Sequence, residues 1–336
     1  MPLRVDMRRI VKKAVVAPRI EGREPAVKRA QAAQSAPDTI ALSADSATID
    51  AFKTIANALI ARIASQKPGV EQRDPTGVHQ MRIALRRTRV LITIFAPLVH
   101  GPETERLKCE LKWLTGRLGP ARDLHLMDLK LQEASSAGSD AFRKRVATDR
   151  SSAFTTAGRA VADKRFDKLL ADLQRWAAAA GQAQAAQDVP TKAKTFARRT
   201  LKHRARKLIG KLDRLDELSD DQRHRVRIAA KKLYYTAGFF ESLFAEHKSG
   251  KRLAKFSKRL KKLLDALGAL NDAAVQRDLA TGVANKSRSA NASDHAKQAV
   301  EAAKELASGG HDVRDAQLKA ALKAAGRLAD MPIFGD

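Results

Sequence analysis

The residues best placed to do chemistry stand together in Val78-His-Gln-Met-Arg-Ile-Ala-Leu-Arg-Arg-Thr-Arg-Val-Leu91. At about 100° per residue, His79, Arg82, Arg86 and Arg89 share one face of a helix, and Met81, Leu85, Thr88, Ile92 and Phe95 share the opposite one. Arginines four apart repel by a few tenths of a kcal/mol. A surface meant only for solubility would mix signs, yet no acid stands within helical reach of these three. Guanidinium groups form bidentate, charge-assisted hydrogen bonds with phosphate oxygens, so a row spaced by helical turns can follow a chain of phosphates. The chemistry expected of this face is anion binding.

The stretch returns as Arg223-His-Arg-Val-Arg-Ile-Ala-Ala-Lys-Lys-Leu-Tyr-Tyr235, where His224, Arg227 and Lys231 answer to His79, Arg82 and Arg86. Val226, Leu233, Ala237 and Phe240 form its apolar side. A second pair follows, Leu118-Gly-Pro-Ala-Arg-Asp123 and Leu267-Gly-Ala-Leu-Asn-Asp272. The offset is 145 residues between the histidines and 149 between the leucines. Two blocks at nearly one offset indicate internal duplication, with a period far longer than that of a solenoid.

Other chemistry finds little footing. Neither histidine has the neighbouring ligands that a metal requires, and neither has an identifiable reacting partner for general-base work. Two roles stay open for them: a first-turn hydrogen bond to a loop or neighbouring helix, or direct contact with phosphate. Asp123 and Asp272 read as helix caps or as partners of the basic faces. The lone Cys109 sits among leucines and reads as a small buried or boundary residue. A single cysteine suits a reducing cytoplasm. No carboxylate cluster or Gly-rich phosphate loop is visible, which leaves phosphoanhydride hydrolysis the weakest reading.

These faces need long helices to hold them. The 336 residues are 44% hydrophobic, chiefly Ala and Leu, with apolar spacings of three and four and almost no alternating β-branched runs. That pattern predicts an all-α protein. The 64 Lys and Arg against 37 Asp and Glu give a net charge of +27, which calls for a polyanionic partner: DNA, RNA, an anionic membrane or inorganic polyphosphate. Aromatic residues make up 4%, too few for the stacking platforms of single-strand nucleic-acid binders. No apolar run reaches transmembrane length and the N-terminus has no signal-peptide core, so a cytoplasmic protein is expected.

In chain order, residues 1–38 carry nine Lys or Arg interleaved with Ala, Pro18, Pro25 and Pro37, and read as a disordered basic arm. A helix with Ile49, Phe52, Ile55, Leu59 and Ile63 inside follows, capped by Ser46 or Thr48 and ending before Pro68-Gly69. Pro75-Thr76-Gly77 opens the first basic helix, and Pro97 and Gly101-Pro102 end it. The next helix stops near Gly119-Pro120, with Asp123 capping its successor, and a long helix runs over about 140–180. The Gln/Ala-rich residues 181–189 and Pro190 separate a first half, 39–184, from a second, 185–336. There the helix of about 191–213 is the most basic: residues 190–214 hold ten Lys or Arg and one acid, Asp213. A helix of about 248–267 and an Ala/Lys-rich tail of weak periodicity complete the chain.

The four segments beginning at Val78, Leu118, His224 and Leu267 resemble the conserved histidine α-helical domain family, abbreviated CHAD, over most of residues 40–285. The resemblance implies two helical bundles related by a pseudo-twofold axis, with basic faces lining a shared groove or pore. It implies binding of inorganic polyphosphate and association with polyphosphate granules. By matching position, His79, Arg82, Arg86, His224, Arg227 and Lys231 would face the anion, joined by Lys112 and Lys261 and by Arg198, Arg199 and Lys202. Family members are often fused to a triphosphatase domain with a Glu-x-Glu-x-Lys signature, which does not occur here. The expectation is therefore a non-enzymatic polyphosphate-binding protein with no cofactor. The alternative is a DNA-binding or granule-surface structural protein that uses the basic arm and the helix faces.

Overall fold

Aspartate and serine caps set where the two basic helices begin. The Asp74 carboxylate accepts hydrogen bonds from the backbone N–H groups of Thr76, at 2.8 Å, and Gly77, at 3.0 Å, with Pro75 in the first turn. Ser219 and Gln222 form a reciprocal capping box, with Ser219 N–H donating to Gln222 Oε1 at 2.8 Å. Such caps satisfy backbone donors that a helix start leaves unpaired.

The computed structural model describes residues 40–133, 140–181, 189–246, 248–288, 311–331 and 333–334. Its helices are α1 (Thr48–Ser65), α2 (Lys67–Glu71), α3 (Pro75–Ile94), α4 (Ala96–Val99), α5 (Pro102–Glu133), α6 (Asp140–Ala162) and α7 (Lys164–Ala179). After residue 188 come α8 (Ala193–Leu212), α9 (Asp220–Phe240), a 3-10 turn (Glu241–Phe244), α10 (Lys248–Arg288) and α11 (His311–Ala329). Among the described residues the extended pairing is one isolated bridge, so the all-α expectation holds. The expected arm at 1–38, residues 182–188 of the expected boundary and residues 289–310 lie outside the described residues.

Several boundaries differ from the sequence reading. Helix α5 does not stop at Gly119-Pro120 but continues through Pro120 to Glu133. An interior proline removes one backbone hydrogen bond and costs about 3 kcal/mol. Here Leu114, Leu118, Ala121 and Leu124 are buried along one face, and that packing outweighs the local loss. Asp123 consequently lies in mid-helix and caps nothing. The expected helix over 140–180 is two, because Asp163 stops one and caps the next by accepting from Arg165 N–H at 2.7 Å. Likewise α10 runs past Gly268 to Arg288. The N-cap of α1 is Ala47, without a side-chain cap, and Pro68-Gly69 fall inside α2. Cys109 is exposed, not buried.

The packing order recurs along the chain. Helix α3 lies against α1 and α5, and α9 lies against α8 and α10; α5 packs on α6, and α10 on α11. Between the two sets, α3 touches α9 and α1 touches α8. Residues 36–336 form one compact unit with a continuous apolar core. Its aromatic centre draws on both sets: Phe52 and Phe95 meet edge-on at 5.3 Å, Phe95 stacks on Phe196 at 4.8 Å, and Phe95 lies 6.0 Å from Phe240. Such pairs add about 0.5–1.5 kcal/mol each beyond the area they bury.

The helices α1 and α8 start side by side. Ala47 and Lys192 form an antiparallel bridge, with Thr48 N–H donating to Thr191 O at 2.7 Å and Ala193 N–H to Ser46 O at 2.9 Å. The Thr48 hydroxyl donates to the carbonyls of Pro190 and Thr191, which explains why it caps no helix. Ala47 and Lys192 are 145 positions apart, as are Phe95 and Phe240 and the two histidines.

Candidate anion-binding site

The basic face begins with a tight seat for the first turn of α3. Gly69 of α2 approaches Gly77 so closely that a Cβ on Gly77 would lie 2.9 Å from the Gly69 carbonyl carbon. With α2 over this turn, His79 is buried at 9% exposure, while Met81, Leu85, Thr88, Ile92 and Phe95 point into the core as the pattern predicts. The corresponding helix α9 follows the mostly exposed turn at residues 213–219, and His224 is exposed. Equivalent histidines thus occupy different environments.

The imidazole of His79 is held far below its ordinary pKa, to about 3, first by burial and then by Arg122, Arg82, Arg86 and Lys231. These cations come from α3, α5 and α9. Neutral at physiological pH, the ring leaves Nε2 buried without a hydrogen-bond partner among the described residues. Buried polar atoms are nearly always paired. An imidazole amid four cations can offer a hydrogen bond to an anion, and the cations supply the field that attracts one.

Arg82 is partly buried, with its side chain 18% exposed, and Asp123 of α5 lies 3.8 Å away. Burial lowers its pKa, opposed by Asp123 and assisted by Arg86. The acid that the α3 sequence lacks thus arrives from another helix, as a partner of the basic face. Arg86 and Arg89 are exposed, and Arg227 and Lys231 are half-buried. The geometry gathers Arg82, Arg86 and Lys231 about His79. Arg89 belongs with a neighbouring group: Lys232 is lowered by burial and then by Arg204, Arg89 and Lys211. Lys112, Arg198 and Arg199 are exposed, whereas Lys202 and Lys261 are half-buried. Arg198 turns its guanidinium over Phe334 at 5.1 Å.

Arg122 and Arg87 escape the sequence reading. Arg122 is 6% exposed and exerts the strongest charge effect on His79. The placement of a helix stop at Gly119-Pro120 hides it, since only an unbroken α5 brings it onto the α3 side. Arg87 is 4% exposed with its guanidinium 5.3 Å from the Phe239 ring centre; its position one residue from Arg86 gives no sign that it turns inward. Among the described residues no group of His, Cys, Asp and Glu is arranged to hold a metal ion, and no helix is long and apolar enough to cross a membrane.

The family model for the CHAD domain matches residues 54–281. The fold is similar to the crystal structure of the CHAD domain from the plant Ricinus communis, with a TM-score of 0.71 and 24% identity over 86% of this chain and 95% of that one. It is also similar to the structure of PptA from Streptomyces chartreusis, with a TM-score of 0.60 and 16% identity over 83% of this chain and 99% of that one. At these identities the likeness establishes the fold. No curated protein matches the chain.

Proposed function

This chain belongs to the CHAD domain family, and from that premise we propose that it binds inorganic polyphosphate on its basic helices, without catalysing a reaction, and thereby associates with polyphosphate granules. The observation that carries the reading is the neutral, buried, unpartnered Nε2 of His79 with Arg82, Arg86, Arg122 and Lys231 about it. A linear polyanion with many equivalent oxygens suits cations that three separate helices direct to one place. The second copy, with His224, Arg227 and Lys231 on α9, extends the track, and Arg89, Lys112, Arg198, Arg199, Lys202 and Lys261 carry it outward. The bridge between Ala47 and Lys192 and the meeting of Phe95 with Phe240, each at the offset of the histidines, support a pseudo-twofold relation between the two sets of helices.

The test compares two double variants of the full chain that remove equal charge. Arg86→Gln with Lys231→Gln changes the face; Arg8→Gln with Arg9→Gln changes the arm. Binding of size-defined, labelled polyphosphate is measured for each in competition with duplex DNA, and released phosphate is assayed alongside. The face variant should lose about a hundredfold or more in affinity, since each of its two hydrogen bonds to a charged group contributes about 1.5–3 kcal/mol and 1.4 kcal/mol is tenfold. The arm variant should bind almost as the parent does. Equal losses in both would show that bulk charge suffices, and effective competition by DNA at equal phosphate concentration would favour a general polyanion binder. Steady release of phosphate would overturn the non-enzymatic reading.

A further inference from the structure

The paired segments at Leu118 and Leu267 contain a glycine that the charge of the basic helices does not explain. In α5, a Cβ on Gly119 would lie 3.0 Å from Arg82 Nη1. Asp123, one turn along the same face, brings Oδ1 to 3.8 Å from Arg82 Nη2. The guanidinium therefore lies along α5, one amino group above the glycine and the other toward the acid. In α10, Gly268 meets the matching arginine: its Cβ would lie 3.8 Å from Arg227 Nη2.

The usual reasons for a glycine do not cover both positions. Neither has a left-handed backbone, and a glycine inside a helix weakens it relative to alanine. Gly119 precedes Pro120, whose ring crowds a preceding Cβ, but Gly268 precedes Ala269. What the two share is an arginine from a basic helix lying over the missing side chain.

We propose that Gly119 is a positioning residue: a notch that seats the guanidinium group of Arg82 across α5 and fixes the edge it presents to the polyphosphate chain, whereas at Gly268 the arginine keeps an ordinary contact distance. The inference rests on the polyphosphate reading above. A planar fork held in place loses less freedom on meeting phosphate than one that must be ordered.

The experiment uses the full chain with Pro120→Ala as parent, which removes the crowding specific to residue 119. Gly119→Leu should lower polyphosphate affinity about tenfold, the loss expected for Arg82→Gln, because both remove one seated charge-assisted contact. Gly119→Ala should fall between, and Gly268→Ala should bind as the parent does, since 3.8 Å is ordinary van der Waals contact. In an Arg82→Gln background, Gly119→Leu should add no further loss, because the notch acts through that arginine. Its thermal midpoint should not drop below the parent's, leucine being the better helix former. Unchanged affinity in Gly119→Leu, or an undiminished loss on top of Arg82→Gln, overturns the inference. If Gly119→Leu fails to fold, Gly119→Ala carries the same cycle. If the parent itself does not bind polyphosphate, the functional reading falls; the notch is then decided by the Arg82 15Nε resonance, which must shift in Gly119→Ala and stay put in Gly268→Ala.

Discussion

Acidification should destabilise this protein through His79 well above the pH at which its carboxylates protonate. The imidazole titrates at about 3 when folded and near 6.5 when unfolded. Between those values the unfolded chain binds the extra proton, so stability rises with pH across the window and is lost as pH falls. Each pH unit inside it corresponds to about 1.4 kcal/mol, so going from pH 7 to pH 5 should remove about 2 kcal/mol through this one residue. Burial pulls the Asp172 carboxyl upward, but hydrogen bonds from Arg106, Arg175 and Lys168 prevail and hold it below its ordinary range, so it stays ionised at pH 5. Urea unfolding of the parent and of His79→Gln at both pH values isolates the effect. The variant should lack about 2 kcal/mol of the parent's pH dependence. NMR titration of the His79 ring provides the direct reading, with no midpoint expected above pH 5 in the free protein. Adding polyphosphate should move that midpoint upward, because anions offset the four cations. A free-protein midpoint of 6 or higher, or equal pH dependence in parent and variant, would refute the argument from burial and converging charge.

Two further perturbations probe the scaffold. Replacing Arg87, buried against Phe239, by Met should cost about 1–3 kcal/mol in urea unfolding, through the lost desolvated cation–π contact and the groups that meet its guanidinium; a gain in stability would show that burying the charge costs more than its contacts return. Thr48→Val keeps the shape but removes the hydroxyl that donates to Pro190 and Thr191, and should lower stability by about 1–2 kcal/mol by taking that donor from the Pro190 carbonyl, the Thr191 carbonyl still accepting from the residue 48 N–H; calorimetry showing no change would mean that solvent satisfies the Pro190 carbonyl equally well.

What the sequence makes legible here is periodicity and repetition. The inward face of α3, from Met81 to Phe95, follows from spacing. Breakers mislead where packing overrides them. Pro120 reads as a stop, yet the leucines on either side keep α5 intact, and the misplaced stop conceals Arg122. Spacing also treats His79 and His224 as equals, because burial of the first depends on what covers α3 and not on the histidine's own helix. Arg87 is one position from Arg86, so a face assigned from the strongest basic row passes over the cation that turns toward Phe239. The candidate site combines side chains from α3, α5 and α9, and no single-helix pattern brings Lys231 to His79.

The bridge between Ala47 and Lys192 bears on the order in which the chain assembles. It closes a loop of 145 residues, and tethering the ends of so long a segment costs about 4 kcal/mol by chain statistics. Two backbone hydrogen bonds and a threonine hydroxyl cannot offset that in an open chain. The contacts of α1 with α3, and of α3 with α5, span far shorter separations and can form during synthesis, before residue 192 has left the ribosome. Once those helices and their counterparts α8, α9 and α10 have packed, most of the intervening chain is already compact and the remaining closure is short. The bridge therefore acts as a late latch, and a nascent chain waits with Thr48 in water until the second set of helices arrives to receive it.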